Sequence, residues 1–111
     1  VSRGLNAVER SMEGLPTMSL PPLAALKALR ERVPGPARLY VAGCTGEPTA
    51  MADAFRADPD LASQITFLGV WVPGINAVDW AGLHETARAE SIFLSPALRP
   101  SYDLGRTAIR P

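Results

Sequence analysis

Six consecutive residues, Gly43, Cys44, Thr45, Gly46, Glu47 and Pro48, gather the groups best suited to chemistry. The two glycines permit positive φ and close backbone approach, and Pro48 suits the start of a helix. Such a turn can cradle an anion or a developing oxyanion with its amides. It is not a P-loop, because no Lys-Ser/Thr pair follows, and it lacks the three-glycine spacing of a dinucleotide fingerprint. A tight strand-to-helix connection without a ligand accounts for the same residues more simply. Cys44 would be a nucleophile if a helix terminus lowered its pKa, but no neighbouring histidine supplies a base. A small apolar filler is the plainer reading. Glu47 suits the role of carboxylate nucleophile or base, although an acidic residue near a helix start also complements the helix dipole.

Two further loops have the right composition to join the first. In Pro73, Gly74, Ile75 and Asn76, the asparagine side chain either fixes a polar ligand or lets the backbone adopt a left-handed turn. Ser95, Pro96, Ala97, Leu98 and Arg99 form the third loop. Trp71 and Trp80 either cover a sheet or contact an acyl or adenine group, with packing the simpler role. His84, the only histidine, stands beside Glu85 and reads as a surface residue. With Cys44 the only cysteine, there is neither an internal disulfide nor a zinc ligand set. Arg99, Arg106 and Arg110 can meet phosphates, but Asp103 lies among them and solvated arginine is ordinary.

These loops need elements to hold them. Leu5, Val8, Met12 and Leu15 recur at helical spacing, and a second helix, capped by Ser19 with Pro21 and Pro22 in its first turn, carries Leu20, Leu23, Leu26 and Leu29. Pro34, Gly35 and Pro36 stop it. Residues 39–42, 65–72 and 91–94 are short apolar runs without strict alternation, the pattern of strands buried on both faces. Between the first two, residues 48–57 put Met51, Ala54 and Phe55 on one helical face, followed by Asp58 as a fresh cap with Pro59 in its first turn. A short helix over residues 79–87 precedes the third run, and residues 107–109 suit a fourth strand. The expected fold is α/β, a three-layer, mostly parallel open sheet with flanking helices, with residues 1–37 a helical lead-in and 38–111 the sheet domain. In such sheets ligands bind beyond the carboxyl ends of the strands, where all three loops fall.

Composition narrows the function. A chain of 111 residues fits one domain, and 47% apolar against 20% charged residues marks a folding sequence. Eleven cations balance eleven anions, so no net field draws the chain to nucleic acid or an anionic membrane. Ten of the cations are arginine, a bias that genome composition explains as well as planar anion recognition does. The uncharged stretch over residues 61–78 is broken by Ser63, Gln64, Pro73, Gly74 and Asn76, so it reads as a strand and its loop rather than a membrane span. No basic-then-apolar leader is read at Val1, so the expectation is a cytoplasmic protein. A start without methionine reads as an excerpt.

From Arg38 onward the chain resembles the amino-terminal domain of the acetyl-CoA hydrolase/transferase family, CoA-transferase family I, which includes 4-hydroxybutyrate CoA-transferase. The resemblance rests on Leu39-Tyr40-Val41-Ala42-Gly43 leading into Thr45-Gly46-Glu47-Pro48, then Thr66-Phe67-Leu68-Gly69-Val70-Trp71-Val72-Pro73-Gly74-Ile75-Asn76. Ala87-Arg88-Ala89-Glu90, Phe93-Leu94-Ser95-Pro96-Ala97-Leu98-Arg99 and Gly105-Arg106 follow in order. The resemblance implies two related α/β halves with CoA and the acyl group bound between them. It implies transfer of CoA from an acyl-CoA to a small carboxylate, or to water, through a glutamate nucleophile in the carboxyl-terminal half. Gly46, Glu47 and Pro48 match the family's turn in the amino-terminal half, and Gly74 and Asn76 match a second loop facing the same cleft.

That carboxyl-terminal half lies outside the 111 residues, so Glu47 does not take the nucleophile's place. The implied site in this chain is an oxyanion and substrate wall of Gly43, Thr45, Gly46, Glu47, Pro48, Pro73, Gly74 and Asn76. The resemblance implies no metal and no tightly bound cofactor, with the coenzyme A thioester as substrate. The missing half or another subunit is the implied partner, in a homo-oligomeric complete protein inactive as this piece alone. A noncatalytic CoA- or partner-binding module of the same fold is the alternative, and a flavodoxin-like nucleotide domain a third. Exposed sheet edges lead to an expectation of self-association or a partner subunit.

Overall fold

In the computed structural model, which describes residues 21–110, the first element is helix α1 (Pro22–Arg32). Pro22 takes its first position, where the missing N–H is one that a first turn leaves unpaired. Leu26 of the expected stripe is buried and Leu23 packs beside it. Arg30 ties off the helix end, donating to the carbonyls of Val33 and Gly35 at 2.8 Å each and of Ser63 at 3.0 Å. Gly35, at φ 74°, then turns the chain into the sheet. The expected helix through Leu5 and Leu15, the Ser19 cap and Leu20 lie outside the described residues.

Strands β1 (Ala37–Tyr40), β2 (Ile65–Leu68), β3 (Arg88–Ser91) and β4 (Thr107–Ile109) form one sheet in the order β1-β2-β3-β4, every pair parallel. Helix α2 (Thr49–Ala57) follows β1, with Ala54 and Phe55 buried, and the five-residue α3 (Arg99–Asp103) precedes β4. This is the open parallel α/β sheet with flanking helices expected above, compatible with a three-layer architecture. Single 3-10 turns at Pro59–Ala62 and Trp80–Leu83 stand where longer helices were expected, and Asp58 makes no side-chain cap there.

Right-handed crossovers between strands laid down in sequence order all fall on one side of a sheet. Phe55 of α2 meets Phe67 of β2 edge-on with ring centroids 5.5 Å apart, and Trp80 lies 5.3 Å from Phe67. Ser101 of α3 sits 2.5 Å from the hydroxyl of Thr107 in β4. These contacts place the described helices and turns on the face of Leu39, Phe67, Ala89 and Thr107. The strands therefore alternate in burial, and the both-faces-buried reading of the apolar runs does not hold for the described residues. For the same reason β1 and β3 begin two and three residues earlier than expected. A strand with one open face accepts arginine, so Arg38 and Arg88 join the ladder while Ile92, Phe93 and Leu94 run past its end and stay exposed.

Candidate functional site

All four strands point the same way, so the chain leaves β1, β2 and β3 at one edge. The β1 ladder extends one bond further, Val41 N–H donating to Leu68 carbonyl at 2.8 Å. Gly43 then passes against the exit of β2 so closely that a Cβ there would lie 1.8 Å from the Val70 carbonyl oxygen. A Cβ on Gly69 would lie 2.5 Å from the Trp71 ring. Glycine is thus demanded here by contact, not by dihedral angle. The next residue, Cys44, is the strained one: it is left-handed at φ 51° and opens a 3-10 turn, Cys44–Gly46, before α2.

Asn76 holds that conformation. Its side-chain oxygen accepts from the N–H of Cys44 at 2.9 Å and of Val72 at 2.7 Å, and its Nδ2 donates to the Cys44 carbonyl at 2.7 Å. Two N–H donors on one side fix which end of the amide is oxygen. At 5% exposure Asn76 is an internal clamp and not a ligand-facing group. The left-handed residue is Cys44, so neither role weighed for Asn76 from sequence is the one it performs. Glu47 adds a second tie, its Oε1 accepting from the Ala77 N–H at 3.0 Å while Oε2 is buried without a partner among the described residues.

These ties lay residues 43–48 and 73–77 side by side. Thr45, Gly46, Pro73 and Gly74 remain exposed along the seam, and Pro48 is half-buried where α2 starts. Gly74, at φ 82°, makes the tip, and its amide has no backbone acceptor among the described residues. The seam can therefore offer backbone polarity to a ligand, while its polar side chains are occupied in holding it together. Cys44 is exposed, so it is not the apolar filler expected.

The third loop is a different construction. Ser95 and Leu98 are buried, and Ser101 in the middle of α3 donates to Asp79 at 2.6 Å, which anchors the segment from below. Trp71 and Trp80 are buried core residues. The arginines do not converge: Arg99 pairs with Asp103 at 2.8 Å, Arg110 with Glu90 at 2.6 Å, and Arg106 donates to the carbonyls of Ala81 and His84. His84 is not a surface residue; its side chain is 16% exposed, with Nδ1 accepting from the Thr86 N–H at 3.0 Å and Nε2 3.5 Å from Asp60. Glu90 titrates below its usual range, chiefly through the hydrogen bond from Arg110; desolvation opposes this, and the charges of Arg110 and Arg38 and the hydrogen bond from Arg38 lower it further.

Sequence reasoning missed Gly69, Val70, Val72 and Ala77, whose contributions are backbone contacts across the loops. The one available signal was the spacing of glycines around Trp71. Among the described residues no three metal-binding side chains meet, and no helix is long and apolar enough to cross a membrane. The chain matches no family model, no curated protein and no solved structure.

Proposed function

We propose that this chain is an amino-terminal portion of an acyl-CoA hydrolase or CoA-transferase, forming the donor-lined wall of a thioester site. The reaction is transfer of CoA from an acyl-CoA to a small carboxylate or to water. The single observation that supports it is the seam of two glycine turns, held rigid by Asn76 and Glu47 before any ligand arrives. Donors fixed in advance stabilise a tetrahedral oxyanion without reorganising during the reaction. The residues that would serve are Gly43, Thr45, Gly46, Pro48, Pro73 and Gly74 through backbone or shape. Glu47 and Asn76 act as positioning residues.

In this reading the attacking glutamate comes from outside the 111 residues. Glu47 is a poor substitute because one oxygen already binds Ala77 and the other is shielded. The partner is a carboxyl-terminal half or another subunit. Thioester exchange in the full gene product tests this: acetyl-CoA and a small carboxylate should yield a new acyl-CoA, and the 111-residue chain alone should give none. Absence of both exchange and hydrolysis with every short acyl-CoA would overturn the proposal. Calorimetric binding of CoA without turnover in the full product would favour a noncatalytic CoA-binding module.

A further inference from the structure

The sheet face turned away from the helices presents Arg38, Tyr40, Thr66, Leu68, Arg88 and Glu90. Tyr40 is 70% exposed, and a shallow hollow of about 240 Å³ runs over Tyr40, Leu68, Val70 and Ile92. No described residue covers it, whereas all-parallel sheets are almost always covered on both faces. Three of the four charges there form one band, Arg88 being the fourth. Glu90 accepts from Arg38 at 3.0 Å and from Arg110 at 2.6 Å, and both guanidiniums keep further N–H groups toward solvent.

We infer that two copies of the chain associate through this face. The reason is positional. Arg38 is level with Thr66 on one side of β2, and Glu90 is level with Leu68 on the other. A twofold axis lying flat on the face, crossing β2 between Thr66 and Leu68 at right angles to the Arg38–Glu90 line, sets Arg38 over the partner's Glu90. The same rotation sets Glu90 over the partner's Arg38, which is the self-complementarity that a twofold contact requires. It also brings Tyr40 near its own counterpart beside Leu68. Arg88, the other residue near that axis, is drawn aside by the carbonyls of Glu85 and Ala87. The outer strands lie about 14 Å apart, a small patch by interface standards, so the association is reversible. This inference stands whether or not the chain binds a thioester.

Sedimentation equilibrium on the 111-residue chain tests it. The expected average mass rises from one chain toward two between about 1 μM and about 1 mM. Arg38→Glu alone and Glu90→Arg alone each hold the mass at one chain, and an equimolar mixture of the two variants regains the two-chain mass, because opposite charges then meet across the axis. Tyr40→Lys, at a position already exposed, weakens association about tenfold or more, and far-UV circular dichroism reports whether each variant is folded. One-chain mass at every concentration would overturn the inference. So would association that survives every single substitution, or folded charge variants whose mixture fails to associate.

Discussion

The two ends of the loop-bearing rim are built on different principles. Over β1 and β2, side-chain amide and carboxylate groups bind backbone across loops more than 25 residues apart in sequence, and two glycines are required by contact. Over β3, Ile92, Phe93 and Leu94 are exposed, and the buried hydroxyls of Ser91 and Ser95 have no partner among the described residues. The first end has its shape set by internal bonds. The second is held by Leu98 and the Ser101–Asp79 anchor beneath it. Groups that must meet a ligand without rearranging belong at the first end, which is where the proposed thioester wall lies.

The largest test of that contrast is Gly43→Ala. Its new methyl meets backbone rather than a movable side chain, so urea unfolding should show a loss of roughly 3 kcal/mol or more, against less than about 0.5 kcal/mol for Ile92→Ala at the other end. Equal losses would erase the distinction. Asn76→Ala comes next, at about 2–3 kcal/mol, because two N–H groups and one carbonyl lose their partner together. Asn76→Asp retains the acceptor and should fall between that variant and the wild type.

Glu47→Ala should cost about 1 kcal/mol through the lost bond to Ala77, whereas Glu47→Gln keeps an acceptor and removes a shielded charged oxygen, leaving stability near the wild-type value. A Gln variant as damaged as the Ala variant would show that charge, and not the hydrogen bond, makes the tie. The smallest effect concerns the open face, outside the rim. The Glu90 carboxyl is held below its ordinary 4.5 by Arg110 and Arg38, so its contribution is complete above that pH and is lost as pH falls through the lowered folded value. In acid titrations followed by circular dichroism, Glu90→Gln should flatten this part of the stability profile, lowering stability slightly at neutral pH and leaving the acid end unchanged.

Much of the architecture was legible from local pattern. Met51, Ala54 and Phe55 announced the buried side of α2, residues 107–109 did form a strand, and the three turn-rich segments do follow three strands. Strand limits were not legible, because apolar runs mark where side chains avoid water while ladders start where a neighbour offers partners. Ala37 joins because Gln64 supplies a carbonyl at 3.1 Å. The composition of the candidate seam was readable, but its wiring was not. Asn76 and Cys44 are 32 residues apart, and no periodicity encodes a side chain that completes another loop's backbone.

The strand order carries a consequence for how the chain acquires its shape. Each strand pairs with the one synthesised just before it, and none must wait for a later segment to slot between two earlier ones. Sequence separations between partners stay short, which favours rapid closure, and the sheet can zip up in the order in which a ribosome releases it. Pulse-labelled nascent chains should therefore gain protection from the amino-terminal strands onward.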